Sequence, residues 1–153
     1  MDALPELDAL IAAMPPAGAM GIRSVGADAE ALRLHAPLAA NLNDKGCAFG
    51  GSLASIMTLA SWGWVVHRLG QAGQVADVYV ADSQLRYLAP LYDDLAAEAR
   101  LREDQDWPGI LRCLAERGRA RASLVACVRN AAGTPVATME ARYALIRPAD
   151  ADA

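Results

Sequence analysis

The chain has 153 residues, enough for one domain, and at this size about 70% of the unfolded surface can be buried, so a real core forms without disulfide or metal staples. Hydrophobic residues make up 54%, charged residues 21%, and the net charge is -4, which excludes a disordered chain and a nucleic-acid binder that works by bulk charge. Alanine contributes 34 residues and arginine 13, against a single lysine, Lys45, and a single phenylalanine, Phe49.

In chain order, apolar residues at Leu4, Leu7, Leu10, Ile11 and Met14 recur every three or four positions and predict a short amphipathic helix that Pro15 and Pro16 end. Gly21 to Val25 and Ala31 to His35 alternate around a turn placed at Gly26 to Asp28 and predict a hairpin. A polar loop, Asn41 to Gly46, leads into a helix from about Gly50 to Leu69, ended by Gly70 and Gly73. Its first 17 residues, Gly50 to Val66, carry no charge, but their small and hydroxylated residues argue for a buried helix and against a membrane span. Being apolar nearly all round, that helix must be covered on most sides. Four strands, Val75 to Leu88, Ala96 to Leu101, Ser123 to Val128 and Val136 to Ile146, supply the cover, while Asp106 to Arg117 reads as either a helix or a loop. This order predicts an α+β domain in which one curved antiparallel sheet wraps a long apolar helix.

Three cysteines, Cys47, Cys113 and Cys127, lack zinc-type spacing, and Asp2, Glu6 and Asp8 stand where an export signal carries positive charge. A reducing, cytoplasmic setting without a metal is the expectation.

Asn41-Leu-Asn-Asp-Lys-Gly-Cys-Ala-Phe-Gly-Gly-Ser52 is the most informative stretch. Gly50-Gly51-Ser52 opens a helix whose first amides lack intrahelical partners, so they form an electropositive donor site for a carbonyl oxygen that gains charge during acyl transfer. The competing reading is a tight loop with an N-cap.

Asn43-x-x-Gly46-x-x-Phe49-Gly50-Gly51 resembles the N-x-x-G-x-x-H-G-G signature of hotdog-fold acyl-CoA thioesterases. Together with Trp62-Gly63, Asp82-Ser83-x-x-x-Tyr87-x-x-Pro90 and Gly118-Arg119-Ala120-Arg121, the string is closer still to the YiiD C-terminal-like branch, over roughly Pro15 to Arg147. The resemblance implies a single hotdog domain over residues 1–153, a homodimer or dimer of dimers with sites at the dimer interface, and a thioester of coenzyme A or acyl carrier protein as substrate, with no cofactor. It departs from the wider pattern at two positions. Phe49 replaces the usual histidine, and Thr58 stands nine residues on where Asp or Glu is usual, so the standard general base is missing.

Candidate catalytic residues are therefore Asn43 and Thr58 to position water, Gly50 and Gly51 as amide donors, Asp44 or Asp82 as proton acceptor, and Ser83 beside Asp82. Asn41, Gly46, Phe49, Ser52 and Tyr87 are candidates for substrate contact, as are Arg119 and Arg121, which with Arg117 alternate along a strand and suit phosphates. Each has a structural alternative: an Asx turn at Asp44, a solvated strand position at Asp82, loop fixing at Asn43. Cys47 has no histidine near it in sequence, His67 suits a helix carboxyl end, and Trp62 and Trp64 suit core or dimer packing. A base-less acyl-thioester binder and a dehydratase-like enzyme are the rival functions.

Overall fold

The computed structural model describes residues 2–149. Its elements are α1 (Pro5–Ala12), α2 (Pro15–Ala19), β1 (Arg23–Ala27), β2 (Ala31–Ala36), α3 (Gly50–Gln71), β3 (Asp77–Tyr87), β4 (Leu95–Leu101), α4 (Trp107–Arg117), β5 (Arg119–Arg129) and β6 (Pro135–Ile146), with a 3-10 turn at Leu38–Ala40. The strands form one antiparallel sheet in the order β1-β2-β4-β5-β6-β3. Helix α3 touches β2, β3, β4, β5 and β6, so the sheet wraps the helix as the sequence predicts. This is the hotdog arrangement. No helix among the described residues is long and apolar enough to cross a membrane.

The period-two strands divide their residues cleanly. Ala137, Met139, Ala141, Tyr143 and Leu145 of β6 face α3 and are buried, while Glu140 and Arg142 face out. On α3, Ile56, Met57, Ala60, Trp64 and Val65 are buried against this inner face. Gly63 lets α1 close on the helix: a Cβ there would stand 3.2 Å from Leu7 Cδ2. The helix ends in a Schellman motif, with Gly73 at φ +66° and Gln74 N–H donating to the Leu69 carbonyl at 3.0 Å.

Several boundaries differ from the sequence reading for local reasons. Pro15 and Pro16 do end α1, and they also open α2, since proline is preset for the first helical turn. The hairpin turn lies at Asp28 to Glu30, where the Asp28 carboxylate accepts from the Glu30 and Ala31 amides, and Gly26 instead borders a bulge in β1. Asp106 to Arg117 resolves as helix α4: Asp106 caps it through the Gly109 amide at 2.7 Å, Pro108 sits in its first turn, and Gly118 closes it at φ +72°. Arg117 therefore belongs to α4 and not to the arginine row of β5.

His67 stacks on Trp64 with ring centroids 5.9 Å apart. Burial, with the Arg68 charge beside it, holds its pKa below the usual histidine value. A depressed histidine pKa means the unfolded chain binds the extra proton first. This contribution to stability is full above the unfolded pKa and lost as pH falls through the folded one. Thermal midpoints measured between about pH 5 and 8 should rise with pH more steeply in the wild type than in His67→Asn; equal slopes would remove the effect.

Candidate active site

The loop before α3 is closed by its own polar groups. Leu42 bridges to Ala48, the Asn43 amide donates to the Cys47 carbonyl at 2.8 Å, and Asn43 Oδ1 accepts from the Lys45 and Cys47 amides at 2.8 and 3.1 Å. Asn43 Nδ2 points at Cys47 Sγ, 3.1 Å away, so this side chain is engaged in holding the loop. Gly46 takes φ +80° at the tip. Asn41 anchors the loop base, its buried Nδ2 donating to the Met20 and Pro37 carbonyls at 2.9 and 2.8 Å while its own carbonyl accepts the Phe49 amide. Together these bonds fix where α3 begins.

Phe49 is the N-cap, and its carbonyl accepts from Ser52 and Leu53. Among the described residues the Gly50 and Gly51 amides donate to nothing, so two N–H groups stand open at the positive end of a 22-residue helix. The Phe49 ring, 55% exposed, leans across this end: a Cβ on Gly51 would lie inside the contact distance of Phe49 Cε2. On the other side, Tyr87 Oη donates to the Gly50 carbonyl at 3.3 Å. Two aromatic rings, from the α3 N-cap and from β3, thus stand against the two glycines. Ser52, the next residue, is buried beneath them.

Along the helix, Gly51, Ser55, Thr58, Trp62 and Val66 recur at helical spacing and remain exposed or half-buried, forming the face that the chain's own sheet leaves open. Thr58 donates its hydroxyl to the Ala54 carbonyl at 2.8 Å and lies 3.7 Å from Met139 Sδ; the buried Tyr143 hydroxyl donates to the Thr58 carbonyl at 2.9 Å. Burial pushes the Tyr143 pKa up, so that phenol stays a neutral donor. Ser55 was not singled out in the sequence. The signal that finds it is its place one turn after Gly51 on the open face.

The structure places the other candidates on three different surfaces. Asp82 pairs with Arg142 across the β3–β6 ladder and lies on the outer face of the sheet, where the Arg142 guanidinium holds its carboxylate pKa down. Ser83, one residue on, aligns with Ala141 on the inner face and is exposed. Asp44 is on the loop tip, 2.9 Å from Lys45 Nζ, with both side chains largely exposed. Arg119 and Arg121 project from the outer face of β5. His35 meets Asp94 at 3.1 Å, also on the outer face, whereas the Leu34 side chain beside it points into the core. Among the described residues no three His, Cys, Asp or Glu side chains gather as a metal site.

The family model described as "Putative thioesterase (yiiD_Cterm)" matches residues 7–147 of this chain. The chain belongs to that family. No curated protein matches it. Among solved structures, a protein of unknown function from Chlorobaculum tepidum TLS is 27% identical with a TM-score of 0.88, each chain covered over 94% of its length. A protein described as "putative thioesterase from Shewanella oneidensis" is 26% identical with a TM-score of 0.81, covering 94% of this chain and 99% of that one. The thioesterase HI1161 from Haemophilus influenzae, 12% identical with a TM-score of 0.69 over 96% of this chain and 92% of that one, shares the fold.

Proposed function

We propose that this protein hydrolyses acyl thioesters of coenzyme A or acyl carrier protein. The observation that carries the reading is the pair of unpartnered amides at Gly50 and Gly51, set between Phe49 and Tyr87 at the start of the central helix. In the mechanism, these amides receive the thioester oxygen and stabilise the charge that develops as water adds to the carbon. The Ser55 hydroxyl, one turn along the same helix face, holds that water, and collapse of the tetrahedral intermediate expels the thiolate, which takes up the proton that the water gave to the acceptor. Asp44, in the loop that feeds the helix, is the proton acceptor in this proposal; Asp82 is not, because its carboxylate is held by Arg142 on the opposite face of the sheet. Hydrolysis of a panel of acyl-CoAs tests the reading, with Asp44→Asn expected to lower kcat by about 10²–10³-fold, in the range of general-base contributions. No cleavage above background by the wild type would remove it. A base-less thioester binder is the second reading, favoured by the absence of any carboxylate or histidine hydrogen-bonded at the open amides among the described residues; tight acyl-CoA binding without turnover selects it.

The active unit in this proposal is a homodimer joined along β3. That strand is the sheet edge, it runs for 11 residues, and it exposes Tyr79, Val80 and Tyr87 beside the half-buried Trp62 of α3. A long apolar edge with an open ladder invites pairing with a second copy. Val80→Lys should convert a dimer to a monomer by sedimentation and abolish turnover; a variant that still sediments as a dimer places the interface elsewhere.

A further inference from the structure

A cleft of about 560 Å³ runs between α2 and the first turns of α3, within the range of small-ligand sites. Its α3 wall is Ala54, Ser55, Thr58 and Leu59, and its opposite wall includes Met14, Pro15, Pro16 and Met20. We infer that this cleft holds the hydrocarbon end of the substrate, and that the substrate class is an aliphatic acyl thioester of hexanoyl length or longer. The inference rests on the thioesterase reading above and adds to it the part of the substrate that is recognised.

Three observations select this occupant. The lining carries no charged side chain, and its only side-chain polar groups are the hydroxyls of Ser55 and Thr58, the latter already donating to the Ala54 carbonyl. A charged or hydroxylated acyl group would be desolvated there without a partner, whereas methylenes lose nothing. The cleft also shares its helix face with Gly51. At the α-helical rise, Ala54 to Leu59 lie roughly 5 to 12 Å beyond that amide, so a chain whose carbonyl rests on the amide passes along the face into the cleft, and an acetyl group ends before reaching it. Finally, the opposite wall joins two prolines, which fix its backbone, to two methionines, whose unbranched side chains adapt to a flexible chain.

The test compares butyryl-, hexanoyl-, octanoyl- and decanoyl-CoA on the full-length wild type, Leu59→Trp and Met20→Trp. Each buried methylene is worth about 0.8 kcal/mol, so kcat/KM should rise about fourfold per methylene until the cleft is filled. The tryptophan variants, one on each wall, should cut the decanoyl-to-butyryl ratio of kcat/KM by at least about tenfold, and because the readout is a ratio it does not depend on how much of a variant folds. Dissociation constants for butyryl- and decanoyl-CoA, measured by calorimetry on the same proteins, carry the same ratio where turnover is absent. A wild type that binds decanoyl-CoA more tightly in a Leu59-dependent way but hydrolyses nothing upholds the cleft and sinks the hydrolase reading. A flat dependence on chain length, or tryptophan variants that leave the ratio unchanged, overturns the cleft.

Discussion

Replacing Gly50 with proline should lower kcat for acyl-CoA hydrolysis by about 10²–10³-fold while leaving the fold intact. Proline removes one N–H and nothing else that the fold requires. Gly50 is the first helical residue, where proline is preset and the missing donor breaks no intrahelical bond. Phe49 before it sits at φ -63° and ψ 131°, the extended region that a residue preceding proline favours. A Cβ at position 50 would stand 3.6 Å from the Tyr87 ring, an ordinary contact. Gly50→Ala introduces that same Cβ and keeps the amide, so it should retain kcat within a few-fold, and the difference between the two variants isolates the donor. Steady-state kinetics on both, with urea unfolding to confirm equal stability, decides it. Equal activity in Gly50→Pro and Gly50→Ala would mean that the Gly50 amide does not meet the reacting oxygen.

Trp64→Ala should cost about 3–5 kcal/mol of folding free energy, a large share of the roughly 5–15 kcal/mol that holds a domain together. Trp64 is 1% exposed and is the largest fully buried side chain. Its ring stacks on His67, meets the Trp107 ring edge-on at 5.7 Å, and the Arg68 guanidinium lies 5.6 Å from one indole and 5.4 Å from the other. The residue therefore joins α3 to α4, and truncation opens a cavity and also takes from the arginine one of its two rings. Chemical denaturation measures the loss. A change below about 1 kcal/mol would mean that the neighbouring helices collapse into the space without penalty.

How far the sequence reveals this protein depends on what each signal reports. The central helix is legible because an uncharged run from Gly50 to Val66 has to be buried, and β6 is legible because Ala137, Met139, Ala141, Tyr143 and Leu145 alternate with outward positions. Strand β3 is different. The strand itself is legible, but every residue from Tyr79 to Gln84 is exposed, so the sequence does not say which way each one faces. A bulge between Val80 and Asp82 then reverses the parity: Val78 and Val80 align with the buried Leu145 and Tyr143, but Asp82 aligns with outward-facing Arg142. Simple alternation from Val78 places Asp82 toward the helix, and one extra residue sends it to the other side. Asn43 was hidden for another reason. Its amide and carbonyl choose partners only once the loop closes, and closure gives them Lys45, Cys47 and the Cys47 thiol. By contrast, the Gly-Gly opening of α3 is a property of backbone chemistry, and the open amides stand where the sequence puts them.

A crystal structure with a non-hydrolysable acyl-CoA analogue, its thioester replaced by a methylene ketone, tests the central claim most directly. The ketone oxygen should lie about 2.7–3.1 Å from the Gly50 or Gly51 amide nitrogen, with the acyl chain running past Thr58 toward Leu59. An analogue bound with its carbonyl away from the start of α3, or on the outer face of the sheet beside Arg119 and Arg121, would contradict it.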